Sequence, residues 1–149
     1  MQRVKKASVV VGGETVGAIA RGMAILFCAE EGDADTDADF FARKIARMRI
    51  FEDAEGRLNL SLLDVGGAAL VVSQFTLAAQ WRKGNRPSLS GAASPQTGRR
   101  LYDRFCRQLE SEGAVVETGR FGARMEVALI NEGPVTIWMN SREDREPAP

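Results

Sequence analysis

Two short stretches carry the side chains whose types and spacing could do chemistry. They are Ser73-Gln74-Phe75-Thr76-Leu77, at the end of an apolar run, and Asn131-Glu132-Gly133-Pro134-Val135-Thr136, between two alternating ones. The chain of 149 residues contains no histidine. Hydrolysis would have to proceed without an imidazole base, so backbone amides, a hydroxyl or the substrate itself must do that work. Thr76 would be a nucleophile only with a base in hydrogen-bond reach, and the motif supplies none, which makes it a positioning group. The plainer reading of Ser73 to Thr76 is a polar strand end, because Ser and Thr are common there and Gln74 can bond a neighbouring backbone group. Roughly 5–6% of X–Pro bonds in folded proteins are cis, so Gly133-Pro134 taken alone reads as trans, in an ordinary hairpin turn. A cis bond would let the flanking carbonyls point the same way as paired acceptors, with glycine leaving their approach open.

The remaining side chains narrow the chemistry further. Cys28 and Cys106 are the only cysteines, and each sits in an apolar pattern expected of a reduced, buried small hydrophobe. With no histidine and no paired cysteines, neither a zinc site nor any other metal or cofactor is expected. The 20 Lys and Arg residues balance 20 Asp and Glu, so net charge points to no polyanionic partner, but the charges are unevenly placed. From Val65 through Tyr102 there is no acid, while Arg82, Lys83, Arg86, Arg99 and Arg100 fall in that window. Such a loop is either simply solvated or a contact for phosphates beside an active site. The opposite cluster of Glu30, Glu31, Asp33, Asp35, Asp37 and Asp39 reads as a loop and an acid-enriched helix start. No apolar stretch approaches the ~20 residues of a membrane helix. No apolar segment of the secretory kind follows Met1 to Lys6, which places the protein in the cytoplasm with no membrane partner.

The elements that must position these residues follow from periodicity. Arg3 to Val11 and Thr15 to Ile19 alternate around Gly12-Gly13 as a hairpin, and Met23 to Ala29 is a strand buried on both faces. Thr36 can cap a helix with Phe41, Ile45 and Met48 on one side and Arg43, Lys44 and Arg47 turned outward. Leu58, Leu60 and Leu62 alternate briefly, and Ala68 to Phe75 is a second buried strand. Gln80 to Gly91 is an aperiodic loop of functional length. Ser94-Pro95 starts a helix whose stripe is Tyr102, Phe105, Cys106 and Leu109, ended by Gly113. Val115 to Thr118 is a short strand, and Met125 to Ile130 with Val135 to Met139 read as a closing hairpin. Ser141 to Pro149 reads as a disordered tail. The expected fold class is α/β, a single layered domain over 1–140 with mixed β-sheets and two amphipathic helices packed on one face. The other sheet face needs a cover, from a second sheet or a partner subunit.

Several segments in this order resemble the D-aminoacyl-tRNA deacylase family, formerly called D-tyrosyl-tRNA deacylases. They are Arg3, Val71 to Leu77, Lys83-Gly84-Asn85-Arg86-Pro87-Ser88, Thr118-Gly119-Arg120-Phe121-Gly122-Ala123 and Asn131 to Thr136. Ile50-Phe51-Glu52-Asp53 and Asn59 to Gly67 fit the same pattern, and the likeness runs from Gln2 to about Asn140. It implies a homodimer that cleaves the ester joining a D-amino acid to the 3′-terminal adenosine of tRNA, a chirality proofreading step, and that also removes glycine mischarged on tRNA(Ala). In the family the Gly-Pro pair is cis, enters the partner subunit's pocket and excludes L-amino acids. Carried over, that role falls on Gly133 and Pro134, steadied by Arg3. Ser73, Gln74, Phe75 and Thr76 inherit the reacting end, and Lys83, Arg86, Pro87 and Asn131 inherit contacts to tRNA and substrate. Glu132 stands where aspartate is more usual, and Trp81-Arg82 is not the commonest loop sequence.

The residue chemistry agrees with that likeness. An aminoacyl ester is already activated, its ribose 2′-OH can assist water, and backbone N–H groups near Gln74 and Phe75 could form an oxyanion hole. Two other readings stand beside it. One is a related editing deacylase with a trans Gly-Pro bond and relaxed stereochemistry; the other is a tRNA-end binding protein that turns nothing over.

Overall fold

The computed structural model describes residues 1–144. Its organising strand is β1 (Gln2–Val11), which runs through the middle of the main sheet. One edge of β1 pairs antiparallel with β8 (Glu126–Thr136), from Gln2 opposite Thr136 to Val10 opposite Glu126. The other edge is shared: β3 (Gly22–Phe27) takes Gln2 to Val4, and β2 (Glu14–Ile19) takes Ala7 to Val11. Beyond β3 the sheet turns parallel, through β6 (Ala68–Ser73) to β7 (Val115–Thr118). Parallel neighbours need long crossovers, and each is built on a helix: α1 (Asp35–Arg47) between β3 and β6, and α2 (Pro95–Ser111) between β6 and β7. A separate small hairpin, β4 (Phe51–Glu52) with β5 (Leu58–Leu60), follows α1.

Both helices lie over one face, as their periodicity predicts. Ala38, Ala42, Ile45 and Ala46 of α1 meet Leu101, Tyr102, Phe105, Cys106 and Leu109 of α2 in a core floored by Met23, Ile25, Ala69 and Val71. The small alanine stripe lets the helices approach closely, and ion pairs fix their outer seam. Arg104 forks onto Asp39 at 2.8 and 2.7 Å and reaches Asp35 at 2.9 Å, while Arg100 also pairs with Asp35. The guanidiniums of Arg100 and Arg104 hold the carboxyls of Asp35 and Asp39 below the usual range.

On the opposite face the sheet packs against itself. The sheet curls until β7 reaches β2, so closely that a Cβ on Gly17 would lie 2.3 Å from the Thr118 carbonyl oxygen. Val4, Ala7, Val9, Ile19, Ala24, Leu70 and Val72 fill the inside of this nearly closed sheet. The result is one fold with two apolar cores, one under the helices and one within the curl.

Four sequence expectations change. The helix α1 starts before Thr36: Ala34 is its N-cap, and the carboxylate of Asp37 reaches back to accept the Ala34 N–H at 2.8 Å. Strand β6 stops at Ser73 and Phe75–Ala78 form a 3₁₀ turn, so the first motif lies on a strand-to-turn junction. The closing hairpin is instead one strand, β8, whose two halves both pair with β1 while residues between Asn131 and Thr136 bulge outward. Cys28 lies beyond the end of β3 and is half-buried, whereas Cys106 is buried as expected. By contrast Ser94 caps α2 as anticipated, its Oγ accepting the Thr97 N–H at 3.2 Å with Pro95 in the first turn. Of the expected disordered tail, residues 141–144 form a turn in which Ser141 Oγ donates to Asp33 at 2.7 Å and Arg142 to the Glu31 carbonyl at 2.8 Å. The rest of that tail, 145–149, lies outside the described residues.

The parallel pairing of β3 and β6 requires Gly22, because a Cβ there would sit 1.8 Å from the Ala68 carbonyl oxygen. Gly22→Ala is expected to cost about 3 kcal/mol or more, since backbone cannot move aside as a side chain would. Urea titration checks this, and an unchanged midpoint would contradict the register.

Candidate functional site

The first motif sits where the parallel strands end. Gln74 donates its backbone N–H to the Phe27 carbonyl at 2.7 Å, pinning the start of the 3₁₀ turn to the end of β3. Phe75 and Thr76 are then presented outward, with Phe75 59% exposed. The Gln74 side-chain amide donates to Thr76 Oγ1. An amide cannot take a proton from a hydroxyl, so the hydroxyl is oriented rather than activated. Ser73 is half-buried, level with Phe27 across the parallel ladder. The Cys28 thiol lies 3.6 Å from the Phe75 carbonyl oxygen, and burial raises its pKa above the ordinary thiol value.

The second motif is held by two side chains. Asn131 closes the bulge on itself: its Oδ1 accepts the Val135 N–H at 2.7 Å, and its Nδ2 donates to the Val135 carbonyl, Thr136 Oγ1 and Gln2 Oε1 at 3.1–3.2 Å. Its amide thus shapes the loop. Arg3 is 4% exposed and fans out beneath the loop. Its Nε donates to the Glu132 carbonyl at 2.8 Å, its Nη1 to the Ile50 carbonyl at 2.8 Å, and its Nη2 lies 3.4 Å from Glu52 Oε1. On this base Gly133 and Pro134 stand exposed, and the peptide bond between them is cis, not the trans form that X–Pro frequency alone favours. Gly133 has φ 142°, and a Cβ there would meet Val135 Cγ2 at 2.9 Å and Arg3 Nη2 at 3.1 Å, so the position admits little but glycine.

The two motifs meet at one cavity of about 240 Å³, lined by Leu77 of the first and Thr136 of the second, with Phe27, Cys28, Ile137 and Trp138 among its walls. Glu30, Asp33 and Asp37 give its rim an acidic side. Gly133 and Pro134 do not line this cavity within their own chain. Lys83, Arg86 and Pro87 lie on the exposed loop from Trp81 to Pro87, whose neck is closed by reciprocal backbone bonds between Gln80 and Ser88 at 2.8 and 3.0 Å. In that loop Trp81 is 69% exposed with the Arg82 guanidinium 5.7 Å from its ring. Among the described residues no cluster of three or more His, Cys, Asp or Glu is arranged to hold a metal ion. No helix of the described residues is long and apolar enough to cross a membrane.

Sequence reasoning had named Ile50 and Glu52 only as part of a pattern, without a role; the contacts of Arg3 supply one. Gln2 and Cys28 were missed because nothing local marks a residue that acts through a partner 47 or 129 positions away.

A curled mixed sheet carrying two helices, with a strand-to-turn motif and a buttressed Gly-Pro loop that each lead into one cavity, defines a known class. The family model described as D-Tyr-tRNA(Tyr) deacylase matches residues 1–140. A D-aminoacyl-tRNA deacylase of Ruegeria pomeroyi is 58% identical over 140 residues, covering 94% of this chain and 97% of the relative. One from Roseiflexus sp. is 55% identical, covering 99% and 95%. Among solved structures, the c-Myc DNA Unwinding Element Binding Protein superposes with a TM-score of 0.89 at 38% identity over 94% of this chain and 95% of that one. A structure described as a probable eukaryotic D-amino acid tRNA deacylase gives 0.70 at 23% identity over 89% and 92%, a likeness of fold. The chain belongs to the D-Tyr-tRNA(Tyr) deacylase family.

Removing the guanidinium of Arg3 strands the Glu132 and Ile50 carbonyls together. Arg3→Ala is expected to lower stability by about 1–3 kcal/mol for each stranded acceptor, and Arg3→Lys by less, because one ammonium cannot span both. Urea midpoints that do not move for Arg3→Ala would contradict this network.

Proposed function

We propose that this protein is a D-aminoacyl-tRNA deacylase, hydrolysing the ester between a D-amino acid and the 3′-terminal adenosine of tRNA to release both. The observation that carries the reading is a base-free Ser-Gln-Phe-Thr turn that leads into a cavity wall at Leu77, in a chain whose Gly-Pro loop, buttressed by Arg3, leads into the same wall at Thr136. The family match over residues 1–140 supports it, and that segment is the deacylase domain.

The mechanism is positional and electrostatic. The Gln74 backbone amide is already bonded to Phe27, so the oxyanion hole draws on the amides of Phe75 and Thr76, each donor worth about 3 kcal/mol of transition-state stabilisation. The 2′-OH of the terminal ribose assists the attacking water, which a chain without histidine cannot do by imidazole. Ser73 and Thr76 orient the ester, while Lys83 and Arg86 with the neighbouring Pro87 meet the phosphates of the tRNA end. The working unit is a homodimer in the cytoplasm, in which Gly133 and Pro134 of one protomer enter the other's cavity. Main-chain carbonyls there read the configuration of the α-carbon rather than the side chain. One site then serves many D-amino acids, and glycine mischarged on tRNA(Ala) as well.

The test is a matched time course of D-tyrosyl-tRNA and L-tyrosyl-tRNA hydrolysis, with spontaneous hydrolysis subtracted and a chelator present. Rapid loss of the D ester alone is expected; equal inertness of both would overturn the reading in favour of a tRNA-end binding protein. Thr76→Ala should keep substantial activity, within about tenfold, whereas a trapped acyl-enzyme or complete loss would mark the hydroxyl as a nucleophile. Gly133→Ala, whose methyl crowds Val135 and Arg3, should reduce the ratio of D to L turnover by at least an order of magnitude. An unaltered ratio would remove this loop from stereoselection. Replacing the terminal adenosine by its 2′-deoxy form should be severe, and full turnover on it would exclude help from the 2′-OH.

A further inference from the structure

The second half of α1 carries more positive charge than the fold pairs. From Phe40 through Phe51 there are four cations, Arg43, Lys44, Arg47 and Arg49, and no acid. All four are exposed and line one shallow cleft with Phe40 and Met48. Their local partners are few. Arg47 pairs with Glu112 and Arg49 bonds the side chain of Asn59 at 3.2 Å, while no salt bridge closes on Arg43 or Lys44 among the described residues. The nearest acid on the same helix, Asp39, is already gripped by both prongs of Arg104, and Asp35 by Arg100 and Arg104. The helix α2 thus neutralises the acidic first half of α1, while in the second half Arg43 and Lys44 close no salt bridge among the described residues. Favourable charge at a helix C-terminus accounts for cations in the last turn, but not for Arg49, which lies beyond the helix end.

The position of the cleft says what it fits. The helix α1 lines the cavity along most of its length, through Asp37, Ala38, Phe41 and Ile45. Ile45 lies between Lys44 and Arg47 in the sequence, so the exposed basic side of the helix adjoins the cavity's helical wall. A tRNA whose aminoacyl end occupies the cavity carries its phosphate backbone away over the neighbouring surface, where cations can meet it. We infer that the cleft of Arg43, Lys44, Arg47 and Arg49 is a second RNA contact, taking backbone phosphates of the acceptor arm while the ester is held in the cavity. This rests on the deacylase reading for the register of the tRNA, though not for the charge of the cleft.

The test uses the full chain and the double variant Arg43→Gln/Lys44→Gln, both sites being solvent-exposed and outside the catalytic cavity. Binding of labelled uncharged tRNA is followed by fluorescence anisotropy from 50 to 200 mM salt. Hydrolysis of D-tyrosyl-tRNA is compared with that of D-tyrosyl-adenosine, which lacks the arm. The expected result is a five- to tenfold rise in KM and Kd for tRNA, kcat unchanged, and hydrolysis of the small ester unchanged. The slope of log Kd against log salt should fall by about one to two, the share of two phosphate contacts, and Arg43→Lys/Lys44→Arg should restore it. An unchanged tRNA Kd and salt slope would overturn the inference, as would equal losses on both esters. So would weakened binding to anionic vesicles with tRNA binding intact. If the unaltered protein hydrolyses neither ester, the deacylase reading fails by itself, and anisotropy with uncharged tRNA still decides the cleft.

Discussion

The buried guanidinium of Arg3 is the contact on which the site depends. It satisfies the Glu132 and Ile50 carbonyls and lies against Glu52, joining the central strand β1, the bulge in β8 and the hairpin after α1. A delocalised fork can serve three acceptors in a fixed plane, and burial makes each unmade bond expensive. The exposed Gly133-Pro134 pair inherits rigidity from beneath, where no solvent competes. Asn131 adds a second constraint by replacing, with its own amide, the ladder bonds that the bulge interrupts. A loop so held keeps its carbonyls in place without any packing around its tip.

The reacting end is built on the same economy. Ending β6 at Ser73 and entering a 3₁₀ turn exposes Phe75 and Thr76, and the bond from Gln74 to Phe27 locks that exit against the neighbouring parallel strand. No titratable side chain is needed for this geometry. Cys28, the nearest thiol, is pushed toward its neutral form by burial, and Tyr102 and Cys106 are also shifted upward by desolvation within the helix-covered core.

Much of this was legible along the chain. Met23 to Phe27 and Ala68 to Ser73 announce themselves as unbroken apolar runs, because parallel strands are buried on both faces. Ser94-Pro95 and the stripe from Tyr102 to Leu109 mark α2 through local rules. The failures are where long-range contacts override local ones. Gly133-Pro134 looks like a hairpin turn, yet Gln2, bonded to Asn131 across 129 positions, and the edge of β1 hold both flanks in one strand. The inward apolar face of the curl reads the same whether a second sheet, a subunit or the sheet itself covers it. Thr36 looks like a helix cap, but the carboxylate of Asp37 does that work from inside the first turn. In the site, the motif residues were visible, while Ile50 and Glu52 gained meaning only once Arg3 was seen to point at them.

The central claim is that hydrolysis proceeds with no protein acid or base. Its most direct measurement is the pH dependence of single-turnover hydrolysis of D-tyrosyl-tRNA between pH 5.5 and 9, recorded beside the spontaneous reaction of the same ester. The account predicts a profile whose only inflection is that of the substrate's own ammonium group, present in both reactions. A bell-shaped profile with an inflection found solely in the enzymatic reaction would contradict it, since such a limb belongs to a protein group acting as acid or base.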